Sequence, residues 1–159
     1  MHYLIEPEVA GGFGEGAVVD WTSRPPRPLR ADYKIIDWLG DCIVTSTPFF
    51  LAVRDTARKF QLLPASGLEV SEATVSEAPE FREINPDGVL PDLVWLRIGL
   101  NPGVDDFGLT RQGHLVVSGR VLQILLGDGL KIGEYIAWAP GVETIPGPPP
   151  WPPRGIPEV

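Results

Sequence analysis

The chain of 159 residues has the length of one ordinary domain, and its 43% hydrophobic and 21% charged residues exclude global disorder. Eighteen glycines and eighteen prolines together exceed a fifth of the residues, which excludes long regular helices and implies many turns. Twenty-one acidic against thirteen basic side chains set a net charge of −8, and no run of Lys and Arg supplies the concentrated positive field that nucleic-acid binding needs.

Tyr3 to Ile5 reads as an opening strand closed by Pro7, and the glycine cluster Gly11 to Gly16 as a loop. Ala17 to Trp21 is a second strand, and Ser23 to Pro28, with Pro25, Pro26 and Pro28, is an extended connection that cannot be helical. Ala31 to Ile36 is extended again before a turn over Asp37 to Asp41. A helix is expected from Thr47 as the cap with Pro48 at the first helical position. Phe50, Val53, Ala57 and Phe60 form its apolar stripe, and Pro64 and Gly67 end it. Leu68, Val70 and Val75 suggest one following strand, and the proline-punctuated stretch Glu77 to Pro91 is mostly loop with one helical turn around Glu80 to Glu83.

Leu93 to Ile98 is the strongest strand signal, because it is apolar at nearly every position and so is expected to be covered on both faces. Gly103 to Gly108 reads as a turn and His114 to Val117 as a strand. Ser118 caps a second helix with Val121, Leu122, Leu125 and Leu126 inward, ended by Gly127-Asp128-Gly129, and Leu130 to Trp138 is a last strand. The expected architecture is α+β: residues 1–139 as a single domain with a mixed or mainly antiparallel sheet and two short helices, then a proline-rich extended tail over 140–159. Trp151, set among prolines in that tail, has the character of a polyproline ligand.

Each candidate for chemistry lacks a necessary second component. The glycine cluster follows a strand, as phosphate loops do, but no Lys-Ser/Thr pair or helix follows it and Glu15 would repel phosphate. Asp106-Phe107-Gly108 matches a kinase metal-binding triplet without the catalytic loop that belongs upstream. The adjacent carboxylates Asp105 and Asp106 suit local backbone donors better than a divalent cation. His2 and His114, the only histidines, have no cysteine set beside them, so no zinc site and no cofactor is implied. Cys42, between apolar neighbours, suits a buried thiol, and as the single cysteine it cannot form an intrachain disulfide. With no basic-then-apolar leader and no apolar run of about 18 residues, the expected compartment is the cytoplasm.

Several motifs, in this order, carry a resemblance: Glu6-Pro7-Glu8-Val9-Ala10-Gly11-Gly12, Trp38-Leu39-Gly40-Asp41, Trp95-Leu96, Asp105-Asp106-Phe107-Gly108 and Leu115-Val116-Val117-Ser118. The chain resembles the bacterial polymorphic-toxin immunity protein family eleven, formerly a domain of unknown function, over about residues 1–138. The tail departs from the usual end of that family. Membership would imply a non-enzymatic cytoplasmic protein that binds and neutralises a cognate toxin domain, such as a basic nuclease, by stoichiometric occlusion. An acidic surface agrees with that partner. Trp38, Asp41, Asp105 and Asp106 are the expected partner-binding residues, since acidic and aromatic loop positions commonly carry binding. The alternatives are a non-catalytic scaffold that uses the tail as its ligand, and a small enzyme built on Cys42 or the acid pair. No contact with nucleic acid or membrane is expected.

Overall fold

The structure, a computed structural model, describes residues 1–147. These form thirteen strands and three helices. In chain order they are β1 (His2–Glu6), β2 (Gly11–Phe13), β3 (Val18–Asp20), β4 (Arg27–Arg30), β5 (Asp32–Ile35), β6 (Ile43–Ser46), β7 (Phe49–Val53) and α1 (Arg54–Leu62), then β8 (Leu68–Ser71), β9 (Thr74–Glu77), α2 (Pro79–Ile84), β10 (Leu93–Ile98), β11 (Phe107–Leu109), β12 (Leu115–Ser118), α3 (Gly119–Asp128) and β13 (Glu134–Trp138). The class is α+β, and every named strand pair is antiparallel except β5 with β9. The strands make four sheets, in the orders β11-β12-β1-β13, β6-β7-β10-β8, β2-β5-β9 and β3-β4.

The sheet β6-β7-β10-β8 is the wall between two cores. Successive side chains of a strand point to opposite faces, so a strand covered on both sides can be apolar throughout. On one face Ile43, Phe50, Ala52, Val94 and Leu96 meet Ile5 of β1, Phe107 and Leu109 of β11, Leu115 and Val117 of β12, and the inner faces of α1 and α3. On the other face Val44, Phe49, Leu51, Leu93 and Trp95 meet Ala10, Tyr33 and Ile35, with Phe81 of α2. Register alignment of Val44 with Leu51 and of Leu51 with Trp95 carries one ladder straight across three strands. The expectation that Leu93 to Ile98 is buried on both faces is met from Leu93 to Leu96.

The helix expected from Thr47 to Phe60 is corrected. Thr47 and Pro48 turn the chain between β6 and β7, Phe49 to Val53 is a strand, and α1 begins only at Arg54, with Val53 as its N-cap and no side-chain capping bond. Phe49, Phe50, Leu51 and Ala52 are all buried, at 4% exposure or less. A helix would have turned part of that run to solvent, whereas a strand between two cores buries all of it. Ala57 and Phe60 of the expected stripe do lie inward on α1.

Other boundaries move for local reasons. Gly11 to Phe13 pairs with β5 instead of looping, and a Cβ at Gly11 would collide with the Lys34 carbonyl oxygen, so glycine there permits close strand approach. The single strand expected across Leu68 to Val75 is two strands in different sheets. Phe107 to Leu109, expected within or beside a turn, forms β11. Arg27 to Arg30 of the proline-rich connection pairs with β3. The last strand starts at Glu134, because residues 130–133 are drawn onto another part of the chain. Ser118 caps α3 as expected, accepting from the Val121 N–H at 3.4 Å, while Leu126 lies 40% exposed instead of inward.

The first part of the proline-rich segment is tied to the sheet of β1. Trp138 Nε1 donates to the Val142 carbonyl at 3.0 Å, and Glu143 accepts from Thr110 Oγ1 at 2.8 Å. Trp151 and most of the prolines behind the polyproline reading lie outside the described residues. Among the described residues no helix is long and apolar enough to cross a membrane.

The strand assignment at 49–53 gives a direct test. Leu51, fully buried, is absent from the helical stripe; Leu51→Ala is expected to cost about 2–5 kcal/mol in urea denaturation. Leu62→Ala, at a position 83% exposed, should stay within about 0.5 kcal/mol of the parent. Equal effects would contradict the two-core wall.

Candidate functional site

Two carboxylates that form no ion pair among the described residues organise one end of the molecule. Asp41 is 1% exposed and follows Gly40, whose φ of +107° lets the chain turn sharply. Its Oδ1 accepts from the backbone N–H groups of Lys131 at 2.9 Å and Ile132 at 3.1 Å, and its Oδ2 from Ile132 at 3.0 Å and Gly133 at 2.7 Å. Glu8 is 4% exposed and accepts from Leu39 N–H at 2.6 Å and Asp41 N–H at 3.1 Å. Successive amides converging on an anion supply the donors that burial removes. Trp38 Nε1 adds a bond to the Asp41 carbonyl at 2.9 Å, and Cys42 N–H one to Gly129 at 2.9 Å.

These bonds pin three segments together, around residues 8–10, 36–42 and 129–133. Glu8 is also bridged to Val44, and Thr45 N–H donates to its carbonyl at 2.9 Å, so the first segment is fastened to the central wall. On the pinned backbone Val9 is 69%, Leu39 61% and Ile132 49% exposed, with Trp38 half-buried against the second core. One exposed aliphatic side chain is unremarkable on any protein surface. Three on loops whose backbone is held by the same buried carboxylates are ordered before any partner arrives, and loops on a rigid scaffold commonly carry binding.

A second clasp forms around Asp106, which accepts from Arg120 Nε at 2.9 Å and Nη2 at 2.7 Å, Ser118 Oγ at 2.6 Å and Ser66 N–H at 2.9 Å. The Arg120 guanidinium holds its carboxyl well below the usual carboxylate range, against desolvation and with help from Ser118 and Ser66. The clasp ties the loop after α1, the start of β11 and the start of α3. Asp105 is half-buried, and its carbonyl accepts from His2 Nε2 at 3.0 Å.

The four expected binding residues thus fall into two clusters, Trp38 with Asp41 and Asp105 with Asp106, and no described hydrogen bond joins them. Asp41 and Asp106, expected to bind a partner, are 1% and 8% exposed. Both carboxylates point into the protein, because chain segments far away in sequence end beside them and need an acceptor. Trp38 and Asp105 keep partial access. Ser66 and Arg120 carry no local sequence signal for this role, and Glu8 enters the sequence reading only within the motif Glu6-Pro7-Glu8-Val9-Ala10-Gly11-Gly12 that carries the resemblance.

The remaining candidates are held elsewhere. Cys42 is 3% exposed in the first core, and burial, with Asp128 and Asp41 nearby, pushes its thiol up to about 11, the opposite of nucleophile activation. His114 Nδ1 lies 2.8 Å from Glu143 Oε2, and no described hydrogen bond links it to Cys42. Ser118 is used twice, as the cap of α3 and as a donor to Asp106.

Removing the Asp106 clasp by Asp106→Ala is expected to cost about 3 kcal/mol at neutral pH. Because the native carboxyl is held low, this stabilisation is fully present above about pH 4, where the unfolded chain's aspartate is ionised, and fades as pH falls further. Urea titrations should therefore show the gap between parent and variant narrowing from pH 7 to pH 2.5; a constant gap would contradict the ion-paired clasp.

Comparison of the chain with family models, with curated proteins and with solved structures finds no match.

Proposed function

We propose that this chain is a protein-binding domain that neutralises a cognate bacterial toxin by stoichiometric occlusion, the function implied by its resemblance to immunity family eleven. The observation that supports it is the exposure of Val9, Leu39 and Ile132 on loops held by Asp41 and Glu8. Apolar anchors on preorganised backbone bind without a large ordering cost, and such anchors dominate the energetics of tight complexes. The net charge of −8 favours fast encounter with a basic toxin domain and disfavours acidic competitors. In this reading Trp38 packs against the second core, and Asp41 acts by positioning the loops while its own carboxylate stays inside.

The test is co-expression with the toxin-like product of the adjacent gene. Leu39→Glu and Ile132→Glu are each expected to weaken binding about tenfold or more and to abolish protection, with an unchanged thermal unfolding midpoint. Leu62→Glu, at an exposed position on α1, should protect like the parent. Full protection by Leu39→Glu, or no binding by the parent chain, would overturn the proposal.

A further inference from the structure

Away from the pinned loops, the short segment 23–28 borders three linked cavities. The first, about 420 Å³, lies between β4, β8 and β10, where Arg27 and Pro28 face Trp95, Arg97 and Glu69. The second, about 160 Å³, shares Arg27, Pro28 and Ile98 with the first and is walled by Pro25, Leu100 and Leu109. The third, about 450 Å³, is bounded by Arg24, Pro26, Arg111 and Gln112. The first and second share lining residues and the second and third share Pro26, so they lie in a row with two arginines at each end and apolar side chains between.

The charge there is opposite to that of the whole molecule. Arg24, Arg27, Arg97 and Arg111 are four of thirteen basic side chains in a protein of net charge −8, all four are exposed, and they come from three separate stretches of sequence. Among the described residues Arg24, Arg27 and Arg111 form no ion pair, and the Arg97 contact with Glu69 is long at 3.6 Å. Arg97 instead lies over the Trp95 ring, 5.0 Å from its centroid. The Trp95 side chain, 6% exposed, also lines the first cavity, and its Nε1–H is the one buried side-chain polar atom without a partner among the described residues. Arg24 Nη1 donates to the Trp21 and Ser23 carbonyls at 3.3 Å each, whereas Arg27 and Arg111 have no described side-chain partner. Guanidiniums match carboxylates, and a buried indole donor left over beside Arg97 calls for an explanation.

We propose that this groove docks an extended acidic peptide from a partner protein, with carboxylates on Arg27 and Arg97 at one end, carboxylates on Arg24 and Arg111 at the other, and an apolar residue over Pro25, Ile98 and Leu109 between them. The linked shape suits a chain better than a compact anion. A nucleic acid would place phosphates beyond the groove against an acidic surface, which repels them. The assignment is independent of the toxin-binding loops.

The probe is a capped hexapeptide of two glutamates, two leucines and two glutamates, titrated into the full-length labelled protein while the tryptophan indole N–H resonances are followed by NMR. The Trp95 resonance is identified by its loss in Trp95→Phe. The expected result is a saturable shift of that resonance, weakened about tenfold in each of Arg27→Gln and Arg111→Gln, weakened by added salt, and absent with the lysine version of the peptide. Neither arginine carries a described ion pair, so both variants are expected to fold. No Trp95 shift, equal binding of the lysine peptide, equal binding of citrate, or tighter binding of a thymidine hexanucleotide would each overturn the assignment.

Discussion

An aspartate with almost no solvent exposure has to be given donors by the protein, and at Asp41 those donors are three consecutive backbone amides from a segment 90 residues further along. The rest of that end of the molecule is arranged around this requirement. Residues 130–133 cannot join β13 because they curl over the carboxylate, and glycine at 133 fits there because a Cβ would stand 2.9 Å from the Glu6 carbonyl oxygen. Glu8 repeats the device one loop away, so that two anions meet backbone amides instead of lysines or arginines. Pinning by backbone donors leaves the side chains of Leu39 and Ile132 outward, and a surface built this way is ordered before a partner arrives.

The pinned loops inherit their position from the two-core wall. Asp41 is separated from β6 only by Cys42, and Ile43 and Val44 then enter opposite cores. A rotation of β6 that freed the Asp41 loop would expose one apolar side chain or the other, at about 1.5–3 kcal/mol each. The Asp106 clasp plays a comparable part elsewhere, joining the end of α1 to the start of α3, which pack together on the first core. Buried carboxylates therefore act here as joints between segments distant in sequence, and the acidic composition is divided between an internal structural share and an external solvated one.

How much of this was legible in the sequence depended on the range of the cause. The β10 strand and the α3 cap were readable because an unbroken apolar run and a serine before an apolar face are local signals. The Thr47 helix was misplaced because Phe50, Val53, Ala57 and Phe60 fit a helical period, and only the second core, assembled from Tyr33, Ile35 and Phe81, makes a strand the better solution for Phe49 to Val53. The inward direction of the Asp41 and Asp106 carboxylates is not legible locally, since nothing near them in sequence shows that Gly133 or Arg120 will arrive. The arginine groove was invisible for the same reason: its four guanidiniums are spread from residue 24 to residue 111.

Buried carboxylates hold the loops of Val9, Leu39 and Ile132 as firmly as core strands are held. Residue-resolved hydrogen exchange measures this directly at the amides of Leu39, Asp41, Lys131, Ile132 and Gly133, each of which donates to Glu8 or Asp41. Protection at these five amides is expected to match that of Val94 and Trp95 in the central sheet, with all of them exchanging through a shared cooperative opening. Exchange at the rates of a free surface loop would contradict it.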